Sequence, residues 1–199
     1  MQYVIFHGSY GGPSKNWFPY LKQELENKEH TVIVPTFPCD NWEDVTRNGP
    51  SIPLQNQNLR NWLEMFEKTF ETIDTNIPLC FIGHSLGCVF ILHILERYNI
   101  ILEKAIFVAP FLEKLNGAWQ IDHANETFYK TDFNFMKLQQ QIEKSYVIYS
   151  DNDPYVPMNY SLNFSKNLES VAILLEGAGH MNDEVNMKEF PLLVDLCVK

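Results

Sequence analysis

Three polar side chains, each just past an apolar run, carry the chemistry this sequence offers. Ser85 stands at the centre of Gly83-His84-Ser85-Leu86-Gly87, with apolar residues 79–82 before it and a second apolar run, residues 88–95, that is too long for one strand. The order implied is strand, very tight turn, helix. At such a turn the central residue adopts a strained backbone with its side chain raised above the sheet. Glycines two before and two after relieve the crowding of strand against helix. A serine held there is a candidate nucleophile, but its hydroxyl attacks poorly until a base takes its proton. Two further residues meet that need. Asp153 follows the apolar run 145–149, in the turn Asp151-Asn152-Asp153-Pro154, and His180 follows the run 171–175, at the end of Glu176-Gly177-Ala178-Gly179-His180. Asp151 is the rival carboxylate; Asp153 is preferred because it directly precedes Pro154 and the next helix, further out of the strand. Taken singly, His180 reads as a solvated loop histidine and the aspartate run as a turn capping a helix. Taken together, one per strand end and in the order Ser, Asp, His, they read as a catalytic set.

The elements that must position these residues alternate along the whole chain. Residues 2–6 form a short β-rich run opening onto His7-Gly8-Ser9-Tyr10-Gly11-Gly12-Pro13, a glycine-rich loop. That loop has neither G-x-G-x-x-G nor a G-K-[ST] ending, so it does not read as a phosphate cradle. Trp17, Phe18, Leu21 and Leu25 recur at helical spacing, and residues 31–34 make a second buried-type strand. Residues 36–57, rich in proline, asparagine and aspartate, read as a loop. Trp62, Leu63, Phe66, Phe70 and Ile73 make one helical stripe. Further strands are expected at 104–109, 145–149 and 171–175, with helices from about Pro157 to Leu168 and from Phe190-Pro191 to about Cys197. Residues 111–142, with Trp119, Phe128, Tyr129, Phe133 and Phe135 scattered along them and no long period, read either as a short lid or cap insertion or as a cover for the sheet. The fold class that follows is α/β: one domain over residues 1–199, a three-layer α/β/α sandwich on a mostly parallel sheet of about six strands. Binding is then expected at the carboxyl ends of the strands.

Composition narrows the partners. With 199 residues, 45% of them hydrophobic, the chain supports one well-buried core. A formal net charge of −10 and the lack of any basic run disfavour binding to nucleic acid or to an anionic membrane. No apolar stretch approaches eighteen residues, and MQYVIFHG has no basic head or cleavage site, so a soluble cytoplasmic protein is expected. Cys39, Cys80, Cys88 and Cys197 are scattered, three of them in apolar runs, which is how reduced buried cysteines are distributed. Neither C-x-x-C nor H-E-x-x-H occurs, so no metal and no cofactor are expected.

The stretches HGSYGGPSKNWFPYLKQEL, FIGHSLGCVFILHILE, YSDNDPYVP and EGAGHMNDEVNMKEFPLLVDL resemble the compact serine hydrolases related to retinoblastoma-binding protein 9 and bacterial YdeN, within the α/β-hydrolase superfamily. The resemblance covers essentially the full chain. It implies a trimmed α/β-hydrolase sheet without the first antiparallel strands of larger members, and it maps Ser85, Asp153 and His180 onto the catalytic triad. One departure matters. The retinoblastoma-binding member carries L-x-C-x-E, whereas Leu86-Gly87-Cys88-Val89-Phe90 ends in phenylalanine, so no retinoblastoma-type partner is expected. The expected activity is hydrolysis of small acyl esters through an acyl-enzyme. The oxyanion would lie between the backbone N–H groups of Leu86 and Ser9, in a shallow, aromatic-edged site. Acyl transfer, thioester or amide cleavage by the same triad, and a non-catalytic interaction protein on the same scaffold, stay open at this level.

Overall fold

Alternation at period two builds the sheet. In β1 (Gln2–Phe6), Val4 and Phe6 belong to one hydrophobic core and Tyr3 and Ile5 to another, and all four are buried. A strand buried on both faces reads as a continuous apolar run. The computed structural model describes residues 1–199, and the chain continues through α1 (Phe18–Glu26), β2 (Thr31–Ile33), α2 (Trp42–Asn48), α3 (Leu59–Phe70), β3 (Leu79–His84) and α4 (Leu86–Arg97). Then follow β4 (Leu102–Val108), α5 (Trp119–Asn125), α6 (Phe135–Gln141), β5 (Ile142–Ser150), α7 (Met158–Leu168), β6 (Val171–Leu175) and α8 (Pro191–Val198). The strands lie in the order β2-β1-β3-β4-β5-β6, and every neighbouring pair is parallel.

Two helical layers close the sandwich. On one face α1 and α8 bury Phe18, Leu21, Leu193 and Cys197 against Tyr3, Ile5, Ile82 and Ile106. On the other, α3, α4 and α7 bury Trp62, Phe66, Phe90 and Phe164 against Val4, Phe6, Phe81 and Phe107. This is the three-layer sandwich expected from the alternation of elements, with a sheet that is parallel throughout. The strand order reverses between β1 and β3, so the chain leaves these two strands in opposite directions and opens a crevice at their carboxyl ends. Ser9 and Ser85 both lie there. No helix is long and apolar enough to cross a membrane.

Four local expectations are corrected. Residues 36–57 contain α2, which buries only Val45 and so shows no stripe; Asn41 caps it, its side chain accepting from Asp44 N at 3.1 Å. Residues 111–142 contain α5 and α6, each seven residues long, too short for a clear period. The second strand stops at Ile33, one residue early. Strand β5 starts at Ile142, three residues before the apolar run, because Glu143 and Lys144 are exposed and interrupt its pattern.

Candidate active site

Ser85 is held by packing at a conformation that a side-chain-bearing residue rarely adopts. Its φ is 55° and its ψ −120°, between the last residue of β3 and the first of α4. Its N–H donates to Val108 O at 2.8 Å and its carbonyl accepts from Cys88 N at 2.9 Å. The flanking glycines are obligatory for the close approach. A Cβ on Gly83 would stand 2.8 Å from Cys88 N, and one on Gly87 would run into the carbonyl oxygen of Phe6. The turn thus presses the start of α4 against the end of β1.

His180 is tied to Asp153 by a 2.8 Å hydrogen bond from Nδ1 to Oδ2. Since a carboxylate accepts, Nδ1 carries the proton and Nε2 is the nitrogen left for other work. The second oxygen of Asp153 accepts from Tyr155 N at 2.8 Å and Val156 N at 3.0 Å, which fixes the carboxylate before it meets the ring. Asp151, the rival, is exposed and accepts from Gly177 N at 2.7 Å. It works with its neighbours: Ser150 Oγ accepts from Ala178 N at 3.0 Å and Asn152 Oδ1 from Gly179 N at 2.7 Å. Three consecutive polar residues at the end of β5, Ser150 to Asn152, therefore grip three consecutive N–H groups just before His180.

Two buried histidines brace the surroundings. His84 donates from Nε2 to the backbone oxygen of His180 at 2.9 Å, and its ring lies 4.8 Å from the His180 ring. Burial, with a smaller contribution from the charge His180 can carry, pushes the His84 pKa down to about 3, so it stays neutral. His7 accepts from Phe37 N at Nε2, 3.1 Å away, and donates from Nδ1 to Gly8 O at 2.8 Å. Burial lowers its pKa too, as an accepting nitrogen requires. Neither was singled out from the sequence, where nothing separates a bracing histidine from a core one.

The loop after β1 meets the serine directly: a Cβ on Gly8 would be 3.0 Å from Ser85 Cβ. The N–H groups of Ser9 and Leu86 form no hydrogen bond within the protein. The Ser9 hydroxyl donates to Asn125 Oδ1 at 2.5 Å. Ser85, His180, Ser9 and His84 share the wall of one cleft of about 570 Å³. No direct hydrogen bond joins Ser85 Oγ to the imidazole, a contact that commonly closes only around a substrate. Toward Ser9 the cleft is lined by Tyr10, Trp42, Leu115, Ala118 and Ile121, with Tyr10 and Trp42 edge to face at 5.1 Å. Toward His180 it is polar, with Lys15, Tyr155, Asp183 and Glu184. The arrangement brings together every residue expected at the site, and it adds His7, His84 and Asn125.

A family model described as serine hydrolase matches residues 3–198. YdeN of Bacillus subtilis (strain 168) is 26% identical over 197 residues, spanning 98% of this chain and 93% of YdeN. The solved structure of the B. subtilis ydeN gene product is similar with a TM-score of 0.81 at 24% identity, covering 99% of this chain and 96% of that one. Est1E of Butyrivibrio proteoclasticus, solved with ferulic acid bound, has a TM-score of 0.67 at 13% identity, over 98% of this chain and 85% of its own. Polyneuridine aldehyde esterase gives 0.65 at 15% identity over 99% and 97%. At these identities the structural likeness is one of fold.

Proposed function

The chain belongs to the serine hydrolase family of the α/β-hydrolase superfamily, and from that premise we propose that it cleaves small carboxylic esters through Ser85, His180 and Asp153. Family membership makes it an enzyme, against the idle scaffold the sequence left open. The observation that carries the triad reading is the 2.8 Å bond from His180 to a carboxylate already fixed by two backbone N–H groups, in the cleft that Ser85 enters on its strained turn.

In the first step Ser85 Oγ bonds to the acyl carbon as its proton passes to His180 Nε2, and the carbonyl oxygen takes the negative charge. Asp153 holds the tautomer that leaves Nε2 free and stabilises the imidazolium. Two unpaired N–H groups, Ser9 and Leu86, flank the serine and supply the oxyanion with donors whose orientation is set before reaction. Collapse breaks the bond to the leaving oxygen, which takes the proton from Nε2. Water then attacks the acyl-enzyme by the same path in reverse. The apolar wall at Tyr10, Trp42 and Ile121 suits the acyl group, and the polar wall beside His180 suits the alcohol. A cytoplasmic setting is part of this proposal, supported by four unpaired cysteines.

The test is covalent labelling by a fluorophosphonate together with turnover of matched oxygen esters, thioesters and amides. The wild type should label and favour oxygen esters of short acids, and Ser85→Ala should do neither. Labelling that survives in Ser85→Ala would remove Ser85 as nucleophile, and a preference for thioesters or amides would move the substrate class.

A further inference from the structure

We infer that Asn125, the last residue of α5, is a positioning residue for the oxyanion hole: it sets the direction of the Ser9 N–H through the Ser9 side chain. This rests on the hydrolase reading above and adds to it a residue with no role there.

The loop that carries Ser9 is not secured by the sheet. Ser9 lies three residues beyond β1, and its own N–H is unpaired, so its orientation depends on what holds its side chain and its neighbour. The hydroxyl of Ser9 donates to Asn125 Oδ1 at 2.5 Å. The next N–H, that of Tyr10, donates to Gln57 Oε1 at 2.9 Å, and Gln57 Nε2 reaches Ala124 O at 3.4 Å. The hydroxyl of Tyr10 donates to Gln120 O at 2.9 Å. Every one of these bonds ends on α5 or on a side chain bound to α5. The helix therefore works as a clamp on residues 9 and 10, whichever reading of residues 111–142, lid or sheet cover, applies.

Asn125 carries the argument because it is a poor choice for stability alone. It is fully buried, and its Nδ2 has no hydrogen-bond partner. The Tyr129 hydroxyl, which lies near the amide, is committed to Asp122 Oδ1 at 2.5 Å. A buried donor left unpaired carries a desolvation penalty, whereas an apolar residue of the same shape would cost nothing of the kind. The half of the amide that is used is the oxygen on Ser9. The unpaired donor gives stability alone no reason for asparagine at this position, whereas its oxygen has a specific task at the adjacent oxyanion donor. A displacement of about 1 Å at a reacting group can cost on the order of a hundredfold in rate.

The experiment measures kcat and KM on a p-nitrophenyl ester, the rate of fluorophosphonate labelling, and the melting temperature, for Asn125→Leu, Ser9→Ala and the pair. Leucine has nearly the shape of asparagine and removes the unpaired donor, so the melting temperature should hold or rise. We expect kcat and the labelling rate to fall about tenfold to a hundredfold, with KM within about threefold. Ser9→Ala cuts the same bond from its part-exposed end and should fall equally, and the pair should be no worse than either single. A wild-type kcat in Ser9→Ala overturns the inference, and so do losses that multiply in the pair. Should Asn125→Leu not fold, Ser9→Ala decides alone. Labelling retained in Ser85→Ala would instead sink the hydrolase reading, which is a separate outcome.

Discussion

His84→Gln converts the linkage between acid and folding into a measurement. His84 is 3% exposed, with its ring against Trp17, Phe18 and His180 and its Nε2–H on the His180 carbonyl. Burial holds its pKa near 3, against about 6.5 in the unfolded chain. A base whose folded pKa lies below its unfolded one binds fewer protons when folded, so acid favours unfolding. Its contribution is complete above about pH 6.5 and is lost as the pH falls toward about 3. Between those limits the slope is about 1.4 kcal/mol per pH unit, so two units below the unfolded value the loss reaches about 2.7 kcal/mol. His7 and His93, also lowered by burial, lose stability in the same direction. They do so in wild type and variant alike, so they cancel in the difference. The charged and titratable groups that act on His84 are His180, Asp153 and His7. Glutamine keeps a donor for the carbonyl but does not titrate. Urea unfolding at about pH 7 should therefore find the variant less stable by about 1–2 kcal/mol, through lost ring packing. At about pH 4.5 the wild type should have lost about 2.7 kcal/mol more than the variant, which reverses their order. A wild-type-minus-variant difference that is flat from about pH 7 to 4.5 would refute the account of His84 as a neutral buried brace.

Two further outcomes follow from the same geometry. Asp153→Asn replaces an acceptor at His180 Nδ1 by a group that can donate, so the ring loses its working tautomer; kcat on an ester should fall on the order of ten-thousandfold while the melting temperature changes little. Lys104, 2% exposed, donates to Leu196 O at 2.6 Å and Cys197 O at 2.9 Å and so caps the last turn of α8. Lys104→Met should lower the free energy of urea unfolding by about 1–3 kcal/mol and leave kcat and KM unchanged.

How far the sequence could be read depended on the distance over which each residue acts. Strands β1, β3 and β4 were legible because burial on both faces forces unbroken apolar runs such as Tyr3-Val4-Ile5-Phe6. The tight turn at Ser85 was legible because its reason is local: Gly83 and Gly87 lie two residues from the Ser85 they accommodate. Asp153 and His180 were legible as residues just past strand ends, a position that a chain pattern records. Helices α2, α5 and α6 left no such record, since a seven-residue helix burying one to three side chains makes no stripe. The braces were invisible for a different reason. His7 meets Phe37 N across 30 residues, His84 meets the His180 carbonyl across 96, and Asn125 meets Ser9 across 116. In the two histidine contacts the partner is a backbone atom, which every residue type supplies, so no partner letter marks the contact. What a sequence of this class spells out is therefore the candidate reacting groups and the sheet beneath them. The contacts that aim those groups appear only when loops distant in the chain are brought within about 3 Å of one another. The substitution at Asn125 tests that half of the design, since it removes a contact that aims the oxyanion donor without changing the donor itself.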